Sequence, residues 1–118
     1  MIYALRMPPE IREPTYFLLA ALLDGPLHGY AIAQRASELS DGRVRLTAGT
    51  LYGALDRLVK QGMLVEIGDE LVAGRKRRSY SLTSEGRTAL HEEATRMRSA
   101  AAIVEGAGAT RPAKAVEA

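Results

Sequence analysis

The sequence predicts a mostly α-helical fold with one β-hairpin, followed by a further helix at the C-terminal end. Two patterns predict it. Apolar residues recur at helical spacing in several segments separated by Gly and Pro. Two strand-like segments, MLVEIG and RKRRSYSL, directly follow the third helical segment, which is typical of a hairpin. The 118 residues fit a single domain with a small core.

The N-terminal half predicts an arm and two helices. Residues 1–13 read as an arm, and a first helix starts near Pro14, since proline suits the first helical turn. This helix is apolar almost all round, so we expect it to be deeply buried until Gly25 and Pro26 end it. A second helix runs roughly from residue 28 to residue 39, with Tyr30 expected in the core.

The third helix is the most regular segment. Thr47 suits its N-cap, because its hydroxyl can accept a hydrogen bond from a free N–H of the first turn. Leu51, Leu55 and Leu58 form one apolar stripe, and Gly62 ends the helix. The opposite face carries small residues, so this helix can approach another molecule closely.

A hairpin and a fourth helix complete the chain. We expect a turn over residues 68–74 between the two strands, and Thr83 as the cap of the last helix. Small and flexible apolar residues repeat along this helix in steps of three and four, which predicts a helix-pairing seam. The seam residues are Leu90, Ala94, Met97, Ala101 and Val104. Residues 106–118 read as a disordered tail.

This element order predicts a winged helix-turn-helix domain over residues 14–82 and a C-terminal dimerisation helix over residues 83–105. In such a domain the third helix enters the major groove of DNA and the hairpin, or wing, lies along the backbone. Residues 43–78 hold eight basic and four acidic residues, so the positive surplus of the chain lies in this region. The wing sequence GRKRR suits phosphate contacts.

Three segments together resemble the PadR family of bacterial transcriptional regulators: GPLHGYAI, TAGTLYGALDRLVKQGMLV and GRKRRSYSLTSEGR. The single C-terminal helix resembles the small subfamily. The resemblance implies a homodimeric regulator, usually a repressor, that binds inverted repeats and leaves DNA when a small molecule binds. It departs from the family pattern at Gly53, where a bulkier residue is common, and at Ser79 and Ser81, which thin the basic wing.

The residues expected at DNA come from the third helix and the wing. They are Gly49, Thr50, Tyr52, Gly53, Arg57, Lys60, Arg75, Lys76 and Arg77. Plain structural readings stay open: Tyr52 could simply pack, and Arg57 could pair with Asp56 or Asp41. We expect Arg78 to be the wing arginine that points elsewhere. The alternative function is a winged-helix module that uses the same surface to bind a protein.

Several other functions have little support in the sequence. There is no cysteine, no metal-ligand spacing and no catalytic constellation, so we expect no metal, no cofactor and no enzyme activity. No apolar run is long enough for a membrane span, which favours a cytoplasmic protein. The loosely filled seam leaves room for a small-molecule effector, with Met97 as the candidate contact.

Overall fold

The computed structural model describes residues 11–110, and all of their side chains except those of residues 69, 70, 72, 75, 76 and 107–110. In chain order the elements are α1 (Glu13–Ala20), β1 (Leu27–His28), α2 (Gly29–Leu39), α3 (Ala48–Lys60), β2 (Leu64–Val72), β3 (Arg75–Leu82) and α4 (Ser84–Thr110). The strands form one antiparallel sheet in the order β1-β3-β2. The predicted fold class is confirmed.

The helix starts follow their capping residues. The Thr47 hydroxyl accepts from the N–H of Thr50 at 3.4 Å and caps α3, as predicted. At α2 the cap is His28, whose Nδ1 lies 3.4 Å from the N–H of Ala31. Gly62 has φ +82° just after α3, the left-handed conformation that glycine adopts at helix ends.

The hairpin is longer than the sequence predicts. We expected a turn over residues 68–74, but β2 continues to Val72 and the turn is only Ala73 and Gly74. Both have positive φ, +54° and +80°, which matches the twist of the flanking strands. Gly68 instead accommodates a register shift in β2. The expectation failed because alanine rarely adopts positive φ, so the sequence does not mark this turn.

The core lies between the first three helices, the sheet and the start of α4. Its buried residues include the predicted α3 stripe of Leu51, Leu55 and Leu58, together with Tyr80 of β3. Tyr30, which we expected in the core, is 65% exposed. Its neighbour Ile32 points inward instead and is fully buried.

The fourth helix is fixed to the end of α3 at its first turn. Thr83 donates from Oγ1 to the carbonyl of Gly62 at 2.6 Å and from its N–H to Met63 at 3.1 Å. The same hydroxyl accepts from the N–H of Gly86 at 2.9 Å, which confirms Thr83 as the cap. Thr83 is thus the only residue between β3 and α4.

The far end of α4 corrects one boundary. The helix was predicted to end at residue 105, but it continues to Thr110, so residues 106–110 are helical and not part of a disordered tail. The rest of that tail, residues 111–118, and residues 1–10 of the predicted arm lie outside the described part of the chain. No helix of the described residues is long and apolar enough to cross a membrane.

Candidate nucleic-acid interface

The outward face of α3 carries few bulky side chains. Gly49, Gly53, Asp56 and Lys60 follow one another at helical spacing and all are exposed. A Cβ added at Gly49 or Gly53 would meet no atom within 4 Å, so nothing in the described structure covers this face. The surface therefore allows a large partner to approach the helix backbone closely.

Tyr52 lies on the flank of this face that is nearer the wing. Its ring packs so tightly on Gly29 of α2 that a Cβ there would lie 2.5 Å from Tyr52 Oη. Any larger residue at position 29 would have to displace the Tyr52 ring. Packing is therefore one role of Tyr52, and the predicted contact of its hydroxyl with DNA stays a prediction.

An arginine bridge joins the wing to α3. Arg78 of β3 donates to Asp56 Oδ1 at 2.9 Å and to both carboxylate oxygens of Glu66 at 3.1 and 3.2 Å. Its guanidinium also lies over the rings of Tyr52 and Tyr80, 5.8 and 5.6 Å from their centroids. These bonds, to Glu66 first and Asp56 second, raise the pKa of Arg78 above its ordinary value.

The contacts of Arg78 bear on two questions that the sequence left open: where Arg78 points, and which residue Asp56 pairs with. Arg78 is directed toward Asp56 and Glu66, in agreement with our expectation that this wing arginine points elsewhere. Asp56 pairs with Arg78, and among the described side chains Arg57 forms no ion pair with either of its suggested partners, Asp56 and Asp41. Asp56 and Arg78, 22 residues apart, are brought together only by the folded hairpin, so no local spacing predicts their pairing.

Arg77 is a wing cation whose side chain has no carboxylate partner among the described side chains. Its side chain is exposed, and Nη1 lies 3.0 Å from Nε2 of His28 at the start of α2. A neutral imidazole has one acceptor nitrogen, so His28 cannot accept fully from both Arg77 and the α2 backbone. The contact with Arg77, at 3.0 Å, is shorter than the contact with the Ala31 N–H, at 3.4 Å. Because the partner of Arg77 here is an imidazole and not a carboxylate, its positive charge is not neutralised by this contact. Arg75 and Lys76 lie beside the hairpin turn in β3, and their side chains are not described.

The opposite flank of α3 carries Thr50 and Arg57, both exposed. Arg57 lines a shallow groove that it shares with Arg12 and Gln61 near the start of α1. It has no acidic partner among the described side chains, and its predicted contact with DNA stays a prediction. The nine predicted DNA residues thus occupy two places, the α3 face with its flanks and the wing.

The predicted seam on α4 divides into a covered and an open part. Leu90 is only 4% exposed and belongs to the core of its own domain, so its assignment to a partner contact is wrong. Ala94 is half-buried, whereas Ala101 is exposed, Met97 is 43% exposed and Val104 is 73% exposed. Ile103 is also 73% exposed, but it lies about 120° around the helix from Met97 and therefore off the predicted seam.

The chain is similar to known proteins in both sequence and structure. The model of the transcriptional regulator PadR-like family matches residues 18–92. A transcriptional regulator of Mycobacterium tuberculosis, Rv3488, is 43% identical over 70 residues, which are 59% of this chain and 62% of that protein. The chain thus spans about three fifths of the length of this relative.

Solved structures agree on the fold. A PadR family transcription regulator from Clostridium difficile has a TM-score of 0.66 at 25% identity, covering 80% of this chain and 97% of that one. Bacillus subtilis PadR, solved in complex with operator DNA, has a TM-score of 0.60 at 25% identity, covering 69% of this chain and 47% of that one.

Helices α2 and α3 with the adjoining hairpin define a winged helix-turn-helix protein, the class that the sequence predicted. The family match covers well over half of the chain. The protein therefore belongs to the PadR-like family of transcriptional regulators, which are not enzymes. The described residues hold no group of three or more His, Cys, Asp and Glu that could bind a metal ion.

Proposed function

We propose that this regulator binds double-stranded DNA as a homodimer, at an inverted repeat, and acts in the cytoplasm as a repressor that a small molecule releases. One observation carries the DNA proposal. The bare face of α3 at Gly49 and Gly53 adjoins a basic wing, so the helix can enter a groove while the wing reaches the phosphates. Bacillus subtilis PadR, solved with its operator, supports it further.

The homodimer rests on the open part of α4. Met97 and Val104 lie seven residues apart, and so on one face, and expose apolar surface on a helix of 27 residues, about 40 Å long, that extends beyond the core. A second copy of this helix would cover that surface and set two wings side by side. Each α3 would then meet one half-site of an inverted repeat, about one helical turn apart.

The effector rests on the composition of the same surface. Met97 is unbranched and adaptable, and its neighbours Ala94 and Ala101 are small. An interface built from such residues leaves space that an apolar ligand can fill. A ligand bound there would change how the two copies pair, and through them the spacing of the two α3 helices.

The proposed DNA binding is tested by titrating the protein with duplex DNA from the promoter region of its own gene. We expect binding whose affinity falls steeply with salt, because phosphate contacts release counterions. The Arg77→Ala variant should lower the slope of log K against log salt by about one and weaken binding to all sequences alike. The matched control is Arg35→Ala, since Arg35 lies on α2 and is paired with Asp24 at 3.5 Å.

Two results would count against the proposal. The absence of any binding at low salt would favour the alternative, a winged-helix module that binds a protein partner. A change in base preference with an unchanged salt slope in Arg77→Ala would show that the wing does not lie along the backbone. Equal slopes for Arg77→Ala and Arg35→Ala would lead to the same conclusion.

A further inference from the structure

Asp56 is an acidic group in the middle of a surface proposed to meet DNA. It is the only acidic residue of α3, and it follows Gly49 and Gly53 along the outward face. Its side chain is 54% exposed. A carboxylate in this position repels phosphate, so it weakens binding unless it makes a favourable contact of its own.

The pairing with Arg78 does not remove this charge. One guanidinium serves two carboxylates, those of Asp56 and Glu66, so the cluster keeps one net negative charge. A phosphate contact would need the opposite sign. The cluster is therefore unsuited to the DNA backbone, and what it can offer a duplex is a hydrogen-bond acceptor.

The geometry leaves one acceptor available. Asp56 uses Oδ1 for Arg78 at 2.9 Å, and within the described part of the chain Oδ2 has no hydrogen-bond partner. Arg78 is itself held by the two hydrogen bonds that it donates to Glu66 and by the rings of Tyr52 and Tyr80. The carboxylate is thus fixed by a rigid partner on one side and exposed on the other, which is the arrangement that a specific contact requires.

We propose that Asp56 is a specificity-determining residue whose Oδ2 accepts a hydrogen bond from the N4 amino group of a cytosine in the major groove. Cytosine presents a donor there, and aspartate accepts from it. Arg78 is a positioning residue, which holds Asp56 in place without touching DNA. This inference rests on the proposed DNA binding and adds the base that one position of each half-site must carry.

The test begins with selection of the wild-type chain on a library of random duplexes, followed by titration of duplexes substituted one base pair at a time. We expect one position per half-site to require cytosine, with roughly 5- to 100-fold discrimination. In the Asp56→Asn variant this preference should be lost or should turn toward adenine, which asparagine reads. Circular dichroism melting checks that each variant is folded.

The matched control is Glu66→Gln. Like Asp56→Asn, it neutralises one of the two carboxylates that bind Arg78, but this carboxylate lies on β2 and not on α3. Because the glutamine amide oxygen can still accept a hydrogen bond from Arg78, we expect this variant to keep the preference for cytosine and not to turn it toward adenine. Arg78→Lys keeps the positive charge but cannot bridge both carboxylates in the same geometry, so discrimination at that one position should fall while overall affinity changes little.

The outcomes separate the two proposals. If the wild type enriches no sequence, the proposed DNA binding itself fails, and the role of Asp56 with it. If the wild type enriches a site, but Asp56→Asn only tightens binding to every duplex alike, DNA binding stands and the specificity role is refuted. The same shift of preference in Glu66→Gln would also refute it.

Discussion

Replacing Gly86 with alanine should destabilise the fold, although the change favours a helix. Gly86 lies in the first turn of α4, where it packs on the segment that follows α3. A Cβ at this residue would lie 3.0 Å from Leu82 Cδ1 and closer still to the carbonyl oxygen of Met63. That oxygen belongs to the backbone and accepts the N–H of Thr83, so it cannot move freely.

Two opposing effects determine how much Gly86→Ala changes the free energy of unfolding. Alanine gains about 1 kcal/mol over glycine in a helix interior, and less near an end. The clash forces a backbone shift that costs about 1–3 kcal/mol, and weakening the Thr83–Met63 hydrogen bond adds about 1 kcal/mol. The clash is the larger effect, so we expect a net loss of about 1–3 kcal/mol in the free energy of unfolding.

Gly53→Ala is the matched substitution with the opposite sign. A Cβ at Gly53, in the interior of α3, meets nothing within 4 Å, so only the gain in helix propensity remains. We expect it to stabilise the fold by about 0.5–1 kcal/mol and to weaken DNA binding by filling the outward face. Urea unfolding, followed by circular dichroism at one protein concentration, measures both variants. Gly86→Ala at or above wild-type stability would refute the packing argument.

Two further predictions concern the core and the dimer. Burial raises the pKa of Tyr80 to about 12, so its neutral form is favoured in the fold. Its contribution to stability is present below the ordinary value of about 10 and is lost as the pH rises from about 10 to about 12, and Tyr80→Phe should abolish this loss in unfolding titrations. Met97→Glu should convert the proposed dimer to monomer in light scattering, because it introduces a charge into the predicted apolar seam, whereas Thr95→Glu on the opposite face should not. A pH-independent stability, or a dimer that persists in Met97→Glu, would contradict these two assignments.

Features governed by neighbouring residues could be predicted from the sequence. The caps at Thr47 and Thr83 and the buried leucine stripe of α3 need only local spacing, and the structure has all of them. Local spacing failed where a residue adopts a less common backbone conformation. Ala73 at positive φ gave a tight turn where the glycine positions of 68 and 74 favoured a broad one.

The remaining differences between the predictions and the structure depend on contacts between residues that are far apart in the sequence. Periodicity shows that Leu90 faces the apolar side of α4, but not that its own domain already covers this part of the helix. The bridge from Arg78 to Asp56 depends on how the hairpin leans on α3, which no spacing encodes. The two-residue strand β1, at Leu27 and His28, is too short for any pattern to mark, although it places the His28 ring beside Arg77.

The direct junction of β3 and α4 through Thr83 has a consequence for the choice of operator. Without a linker, and with Thr83 bonded to Gly62 and Met63 at the end of α3, the orientation of α4 fixes the orientation of α3. In the proposed dimer, one added base pair between the half-sites turns one of them by about 34° around the duplex axis. A joint this stiff absorbs little of such a rotation, so the length of the spacer should discriminate between sites as strongly as the bases themselves.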